Sequence, residues 1–420
     1  MAYLPRLVDA RLAAVLAAFP AALILGPRAS GKTTTARQIA GDVVELDDPA
    51  QAAPFRADPT AALRMRLQRR AGPGPLLLDE WQAVPEVLGA VKRAVDQGLA
   101  AGSLVLTGSV RAGFTSVSWP GTGRVLQIVM YPMTVLEQRA TAQPRNEFVD
   151  QLFAGGASEL ALPAELPDLV GYVDLAVASG FPPVLRLGEA ESRAWLRSYL
   201  QQLVLRDVAE LGEIRDPAGL NRLLRAIAEH SAGVVADTEL AAAADINVKT
   251  VRRQERLLED LRIVEALPAW HSNRISRLVK NRKRYLADPA LAAVLLGVDS
   301  LAVMSDGGLL GRILETFALA QLRPLLGVDN LDVHAFHLRQ QDYRREIDVI
   351  LESADGRVVG IEIKATASAG SNDARHLAWL RDQLGPCFVA GVVLTSGRAV
   401  YPLGERITAV PIAALWAPET

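Results

Sequence analysis

The octapeptide GPRASGKT, Gly26–Thr33, constrains this chain more than any other stretch. It satisfies G-x-x-x-x-G-K-[ST], follows the apolar run Ala21–Leu25 and leads into TTTARQIA. That order predicts a strand, a glycine-rich turn and a helix, the context in which the motif cradles a phosphate chain. Gly26, Pro27, Arg28, Ala29, Ser30, Gly31, Lys32, Thr33 and Thr34 are the expected nucleotide contacts. The glycines let backbone N–H groups wrap the phosphates, and the helix N-terminus adds partial positive charge. Lys32 would reach the β- and γ-phosphates of ATP, and the Thr33 hydroxyl would hold Mg²⁺.

A hydrolase needs a metal-holding acid beside that cradle. PLLLDE, Pro75–Glu80, supplies an apolar strand that ends in two acids, at the edge where open α/β sheets bind ligands. Asp79 is expected to complete the Mg²⁺ shell and Glu80 to orient or deprotonate the attacking water. LTGS, Leu106–Ser109, closes another apolar run with a hydroxyl that could sense the γ-phosphate. GTGR, Gly121–Arg124, could present Arg124 to a phosphate of its own or a neighbouring chain, and the second case implies a homo-oligomer. With AALILG, DVVELDD and SLVLTGS also strand-like, the amino-terminal third reads as a parallel α/β sheet.

Residues 161–235 read as helical and rich in Ala and Leu, a lid or linker bundle. Asp237–Trp270 reads as helix, short break, helix and strand, the outline of a winged helix-turn-helix. The net charge of the 420-residue chain is −2, so a nucleic-acid surface has to be local. Between Lys249 and Arg284, eleven basic residues stand against four acidic ones, about +7. Lys249, Thr250, Arg252, Arg253 and Arg256 fall where a second helix would enter a major groove, so DNA is the expected partner. A single cysteine rules out a disulfide framework and a cysteine-based zinc site. The apolar run Leu12–Gly26 is broken by Pro20 and too short for a bilayer, so a cytoplasmic location and no membrane association are expected.

The order of these parts resembles one family of bacterial and archaeal AAA-type ATPases. The resemblance is carried by the Gly26–Thr33 stretch, VELDDP, LLLDEWQAVPE, LTGS, GTGR, YPMTVLE, SGFPPV, the helix-turn-helix and EIDVIL…GIEIKAT. Members of that family carry a C-terminal domain that looks like a restriction-endonuclease fold. The resemblance implies a multidomain α/β chain: a P-loop AAA-type ATPase over residues 1–160, a helical lid over 161–235, a winged helix-turn-helix over 236–285 and a restriction-endonuclease-like domain over 286–420. It supports Lys32, Thr33, Asp79 and Glu80 as ATP-site groups.

Within REIDVILESADGRVVGIEIKAT, Arg345–Thr366, loop length decides what the acids can do. A two-residue loop at Asp355-Gly356 would pair Asp348 with Ile363 and send Glu362 to the other face. A three-residue loop, Ala354 to Gly356, would pair Asp348 with Glu362 and set Lys364 beside Glu346. In that register Asp348 and Glu362 would bind a metal, Lys364 would activate water, and Glu315 from the preceding helix would add a ligand. This resembles the D…E-x-K core of restriction-type nucleases. A half-buried hairpin with a solvated face gives the same alternation.

Three readings follow. In the first, the chain is a Mg²⁺-dependent ATPase that binds DNA and controls a nuclease-like domain through its nucleotide state. The others are an ATP-driven switch whose C-terminal domain binds nucleic acid or protein without cleaving it, and an assembly module without nucleic acid.

Overall fold

A computed structural model describes residues 3–69, 72–109, 123–204, 216–271, 282–328, 332–340 and 345–418. Gly121 and Thr122 of the GTGR stretch, and Arg274, Arg277 and Lys280 of the basic segment, lie outside the described residues. The chain divides into two compact units. The first comprises Met1–Met133, Ala140–Gln143 and Asp260–Arg262, and the second comprises Thr134–Arg139, Pro144–Glu259 and Ile263–Thr420.

The first unit is built on a five-stranded sheet of β1 (Ala21–Leu25), β2 (Asp42–Glu45), β3 (Leu76–Asp79), β4 (Leu104–Gly108) and β5 (Val125–Val129). Its order is β2-β3-β4-β1-β5, and every pairing is parallel. The strands are apolar without interruption because both faces are covered. Leu23, Leu25, Leu76, Leu78 and Leu106 join one core with Phe55, Leu63, Val87 and Val91 from the helices on that side. Ala22, Ile24, Leu77 and Val105, at the alternate positions, join the opposite core with Leu12, Val15 and Leu16. The C-terminal ends of β1, β3 and β4 thereby bring Gly26, Glu80 and Ser109 to one edge of the sheet.

In the second unit, a helix Asp237–Ala244 ends at Asp245 in the left-handed region, and a helix Val248–Asp260 follows. The Asn247 side chain accepts from the Thr250 backbone N–H at 2.8 Å and caps the second helix. Val251 and Leu258 of that helix are buried, as their spacing predicts. An antiparallel pair comes next, β6 (Val264–Leu267) with β7 (Lys283–Leu286). Just beyond β7, the buried Asp288 accepts from Ala290 N–H and also from the Ser179 hydroxyl and Gly180 N–H, at 2.8 and 2.9 Å. The SGFPPV stretch is thus fixed by a distant helix cap, and Phe181 packs on Trp195 and Tyr199.

The same unit carries a six-stranded mixed sheet of order β12-β13-β11-β10-β9-β8. Its strands are β8 (His334–Arg339), β9 (Glu346–Glu352), β10 (Val358–Lys364), β11 (Phe388–Thr395), β12 (Tyr401–Gly404) and β13 (Ile407–Pro411). β11 lies parallel between β10 and β13, whereas β8, β9 and β10 run antiparallel in turn. The β9–β10 turn has the three-residue loop. Ser353 N–H donates to Arg357 O at 3.0 Å, and Gly356 takes φ +84°, a value that suits glycine. The register runs from Val358 opposite Glu352 to Ile361 opposite Val349. Continued by one residue, it sets Glu362 opposite Asp348.

Candidate functional sites: a glycine-rich phosphate cradle and a buried carboxylate cluster

The turn after β1 is shaped by contacts that only particular residues tolerate. A Cβ on Gly26 would lie 2.1 Å from the Met130 carbonyl oxygen, and Gly31 has φ +100°. Lys32 opens a short helix, Lys32–Arg37, and its ammonium donates to Pro27 O at 2.9 Å. Burial pushes this lysine down to about 8, although Glu80 and Asp79 oppose the shift. Ser30 is fully buried, and its hydroxyl has no hydrogen-bond partner. Arg6, itself buried, donates to Ser30 O at 2.8 Å and to Tyr131 O at 2.7 Å, tying the turn from behind.

The acids stand where the sequence expects them. Thr33 Oγ1 donates to Asp79 Oδ1 at 2.8 Å, and the buried Thr107 hydroxyl bonds the same oxygen. Glu80 adopts φ 52°, ψ 51°, and its carboxylate bonds Gln82. Gln82 also lies 3.4 Å from the Ser109 hydroxyl. The LTGS stretch therefore acts through Thr107 as a brace for Asp79, a role its sequence did not reveal. The strained backbone at Glu80 aims that side chain differently from a residue continuing β3.

Arg124 lies apart from the phosphate turn. β1 and β5 are parallel, with Ala21 beside Val125 and Leu25 beside Val129, so Arg124 stands at the beginning of β5. The phosphate turn leaves the far end of β1, about 16 Å away at roughly 3.3 Å per strand residue. Arg124 instead pairs with Asp96 at 2.7 Å on the surface.

In the second unit, Asp348, Glu362, Lys364 and Glu315 come together, and Lys283 of β7 joins them unforeseen. Lys283 Nζ is 2.5 Å from Glu315 Oε1 and 3.0 Å from Asp348 Oδ1, with its side chain 1% exposed. Lys364 Nζ is 2.7 Å from Glu362 Oε2 and 4.0 Å from Asp348 Oδ2. It therefore lies beside Glu362 and Asp348, while Glu346 is 3.8 Å from Arg339. Tyr285 donates to Glu315 at 2.6 Å, and Ile363 N–H donates to Asp348 at 2.9 Å.

Burial acts against every charge here, and the neighbours decide the outcome. Glu315 is pushed up to about 8 by burial and by Asp348. Glu362 is raised for the same two reasons. Burial would raise Asp348 as well, but Lys283 and Lys364 outweigh it and hold the carboxyl down at about 2. Burial works to neutralise Lys283, and Asp348 and Glu315 keep it well above the ordinary lysine range.

Lys283 and Arg284 are corrected from surface to interior roles, while Arg282 stays half-exposed. Arg284 is buried against Glu255 at 2.7 Å, and Arg282 pairs with Glu259 at 2.7 Å and Glu255 at 3.2 Å. Lys249, Arg252, Arg253 and Arg256 remain on the exposed face of Val248–Asp260, with Arg252 paired to Asp237 at 2.8 Å. Thr250 is partly buried, and its hydroxyl is 3.1 Å from Asn247 Oδ1. The signal that could have exposed Lys283 is the alternation in KRYL. It places Lys283 and Tyr285 on one side of a strand and Arg284 on the other.

Residues 18–138 match a protein-family model described as an AAA domain. Residues 170–302 and 310–415 match two models described as domains of unknown function, DUF8612 and DUF4143. The amino-terminal match supports an AAA-type ATPase family for this chain. Two uncharacterized proteins, of Mycobacterium tuberculosis and Mycobacterium bovis, are each 27% identical over 409 residues, 96% of this chain and 82% of theirs. Among solved structures, a Walker-type ATPase of Pyrococcus abyssi is 15% identical, with a TM-score of 0.41 over 68% of this chain and 94% of that one. A RuvB variant of Thermotoga maritima is 17% identical, with a TM-score of 0.29 over 66% and 90%. Among the described residues, no helix is long and apolar enough to cross a membrane.

Proposed function

We propose that this protein is a Mg²⁺-dependent ATPase that binds DNA and whose nucleotide state governs its C-terminal domain. The hydrogen bond from Thr33 to Asp79, at the mouth of a glycine-rich turn with Lys32 buried in it, carries the proposal. The cradle fits a nucleotide: Gly26 and Gly31 leave backbone free to approach phosphate, and the unpartnered Ser30 hydroxyl lies within the turn. Thr33 and Asp79 would hold Mg²⁺, which when bound supplies charge neutralisation for phosphoryl transfer. Lys32 neutralises phosphate charge, Glu80 orients and deprotonates water, and Thr107 fixes the Asp79 carboxylate.

For DNA, the support is the helix pair with its following hairpin, which has the outline of a winged helix, and the exposed Lys249, Arg253 and Arg256. A partner chain would be needed to receive Arg124 at a nucleotide, and a homo-oligomer is part of the proposal for that reason. Gathering of Asp348, Glu362 and Lys364 on one face supports a nuclease-like ancestry for the C-terminal domain. The ammonium of Lys283 between Glu315 and Asp348 favours a second reading, in which this domain binds without cleaving. As the cluster stands, these carboxylates do not fit a divalent cation, because Lys283 already occupies the space between them.

The test is phosphate release from ATP with Mg²⁺, alongside fluorescence anisotropy of labelled duplex DNA, for wild type, Lys32→Ala and Glu80→Gln. Turnover absent in both variants, with nucleotide still bound by Glu80→Gln, is the expected result. Turnover unchanged in Lys32→Ala would sink the ATPase assignment.

A further inference from the structure

Beyond β3 the chain turns sharply. Glu80 takes the left-handed region, and a single 3₁₀ turn, Trp81–Ala83, follows, closed by Ala83 N–H donating to Glu80 O and Val84 N–H to Trp81 O, both at 3.0 Å. That turn brings the Gln82 side chain back to the side chain of Glu80. The Gln82 amide nitrogen donates to Glu80 Oε2 and lies 3.4 Å from the Ser109 hydroxyl, so one side chain joins the ends of β3 and β4. In the β1–β4 register Leu25 stands beside Gly108, which sets Ser109 level with the start of the phosphate turn.

This seat costs the fold two hydrogen bonds. A carboxylate only accepts, so Gln82 must present its NH₂ to Glu80 and turn its carbonyl oxygen the other way. Among the described residues that oxygen is buried without a donor, and the indole N–H of the buried Trp81 is without an acceptor. Both groups press on Gly108, where an added Cβ would lie 2.8 Å from Gln82 Oε1 and closer still to Trp81 Nε1. Buried polar atoms ordinarily find partners. Two that do not, beside a glutamate held in a strained backbone, mark a place where local rules yield to function. Glu80 Oε1, the oxygen that Gln82 does not hold, accepts no hydrogen bond among the described residues.

We propose that Gln82 is a positioning residue for hydrolysis: it ties Oε2 of Glu80, leaves Oε1 to the attacking water, and is itself seated by Gly108. The inference rests on the ATPase reading and names the group that aims its base. In the step concerned, the water oxygen bonds the γ-phosphorus as the bond to the ADP oxygen breaks, and the water proton passes to Glu80 Oε1. An unheld glutamate samples several rotamers, and a misplacement of about 1 Å at a reacting group is enough to cost most of its effect. Gln82 removes that freedom before nucleotide arrives. Its reach to Ser109 fixes the aim relative to the strand that flanks the phosphate turn.

Steady-state phosphate release tests this in full-length wild type, Gln82→Met and Gln82→Asn, with affinity for the non-hydrolysable analogue adenylyl imidodiphosphate read by calorimetry. Methionine keeps the length without the donors, and asparagine keeps the amide on a stem one methylene shorter. In both, kcat should fall by about tenfold to a hundredfold while KM and analogue affinity stay at wild-type values. In nucleotide-free protein, the losses of urea midpoint from Gln82→Met and Glu80→Ala should fall short of adding, because the two side chains touch. Unchanged kcat in either folded Gln82 variant, kcat above wild type, a loss of affinity that matches the loss of kcat, or additive midpoints each overturn the positioning role. Wild type without turnover, or turnover kept in Glu80→Gln, is failure of the ATPase reading, and this inference falls with that reading.

Discussion

Thr33 Oγ1 and Asp79 Oδ1 are hydrogen-bonded at 2.8 Å, although 46 positions separate the residues in the chain. The bond closes the mouth of the phosphate turn with the two groups proposed to hold Mg²⁺. Thr107 secures the same oxygen of Asp79. Asp79→Asn keeps the shape and removes the charge, so ATP turnover should fall by about 10²–10³, the usual loss for a preorganised transition-state contact. Phosphate-release kinetics at saturating Mg²⁺ and ATP measure it, and near-wild-type turnover would remove Asp79 from the site.

Lys32 should make nucleotide binding pH-dependent. Its folded value is about 8 without ligand, against an ordinary 10.5. Between these values the unfolded chain holds the proton and the folded chain does not, so this group makes stability rise with pH across that window. Below about pH 8 the penalty for burying the charge is present in full. Phosphates need the ammonium, so ATP affinity should fall above about pH 8, by up to about tenfold per unit for one linked proton. Calorimetric titrations from pH 7 to 10 read the affinity. The stability difference between wild type and Lys32→Met over the same range reads the linkage, and affinity flat with pH contradicts it.

Gly26→Ala should damage the first unit rather than merely slow it. The new methyl would lie 2.1 Å from the backbone oxygen of Met130, which is flanked by β5 and has little room to move. Overpacking of this kind costs about 1–3 kcal/mol. A lowered urea midpoint together with lost nucleotide binding is expected, and unchanged values of both would show that the turn relaxes freely.

Arg284 and Glu255 form a buried ion pair, with side chains 6% and 2% exposed. Removing one member leaves the other charged and enclosed, a loss of about 3–5 kcal/mol. Arg284→Met should therefore destabilise more than the double change Arg284→Met/Glu255→Met, which removes both charges. Chemical denaturation of the two variants decides it, and equal losses would mean that the pair is solvated in practice.

If Val248–Asp260 meets DNA, Lys249→Ala, Arg253→Ala and Arg256→Ala should each weaken binding uniformly across sequences. Each should reduce the slope of log affinity against log salt by about 0.9 for every phosphate contact removed. Anisotropy titrations at several salt concentrations check this, and a salt-independent affinity argues against backbone contacts.

Much of the candidate nucleotide site was legible because its residues are close in sequence or bound to local grammar. Gly26 to Thr33 form one turn between a strand and a helix, and Asp79 and Glu80 terminate an apolar run, so spacing alone placed them. Loop chemistry at Ala354–Gly356 likewise restricted the β9–β10 hairpin to two registers, and the glycine with positive φ selected the one that pairs Asp348 with Glu362. What the chain did not disclose depends on distant partners. Lys283 and Arg284 look like any exposed basic dipeptide, yet alternation on β7 turns them to opposite sides, each toward acids on other elements. Arg124 sits in a glycine-flanked stretch that suggests a phosphate, yet strand direction carries it to the far end of the sheet. Local pattern thus determined which residues could bind phosphate and which strands could form. Only the tertiary structure decided which charges meet, because ion-pair energies depend on separation and burial in space, quantities that sequence distance does not encode.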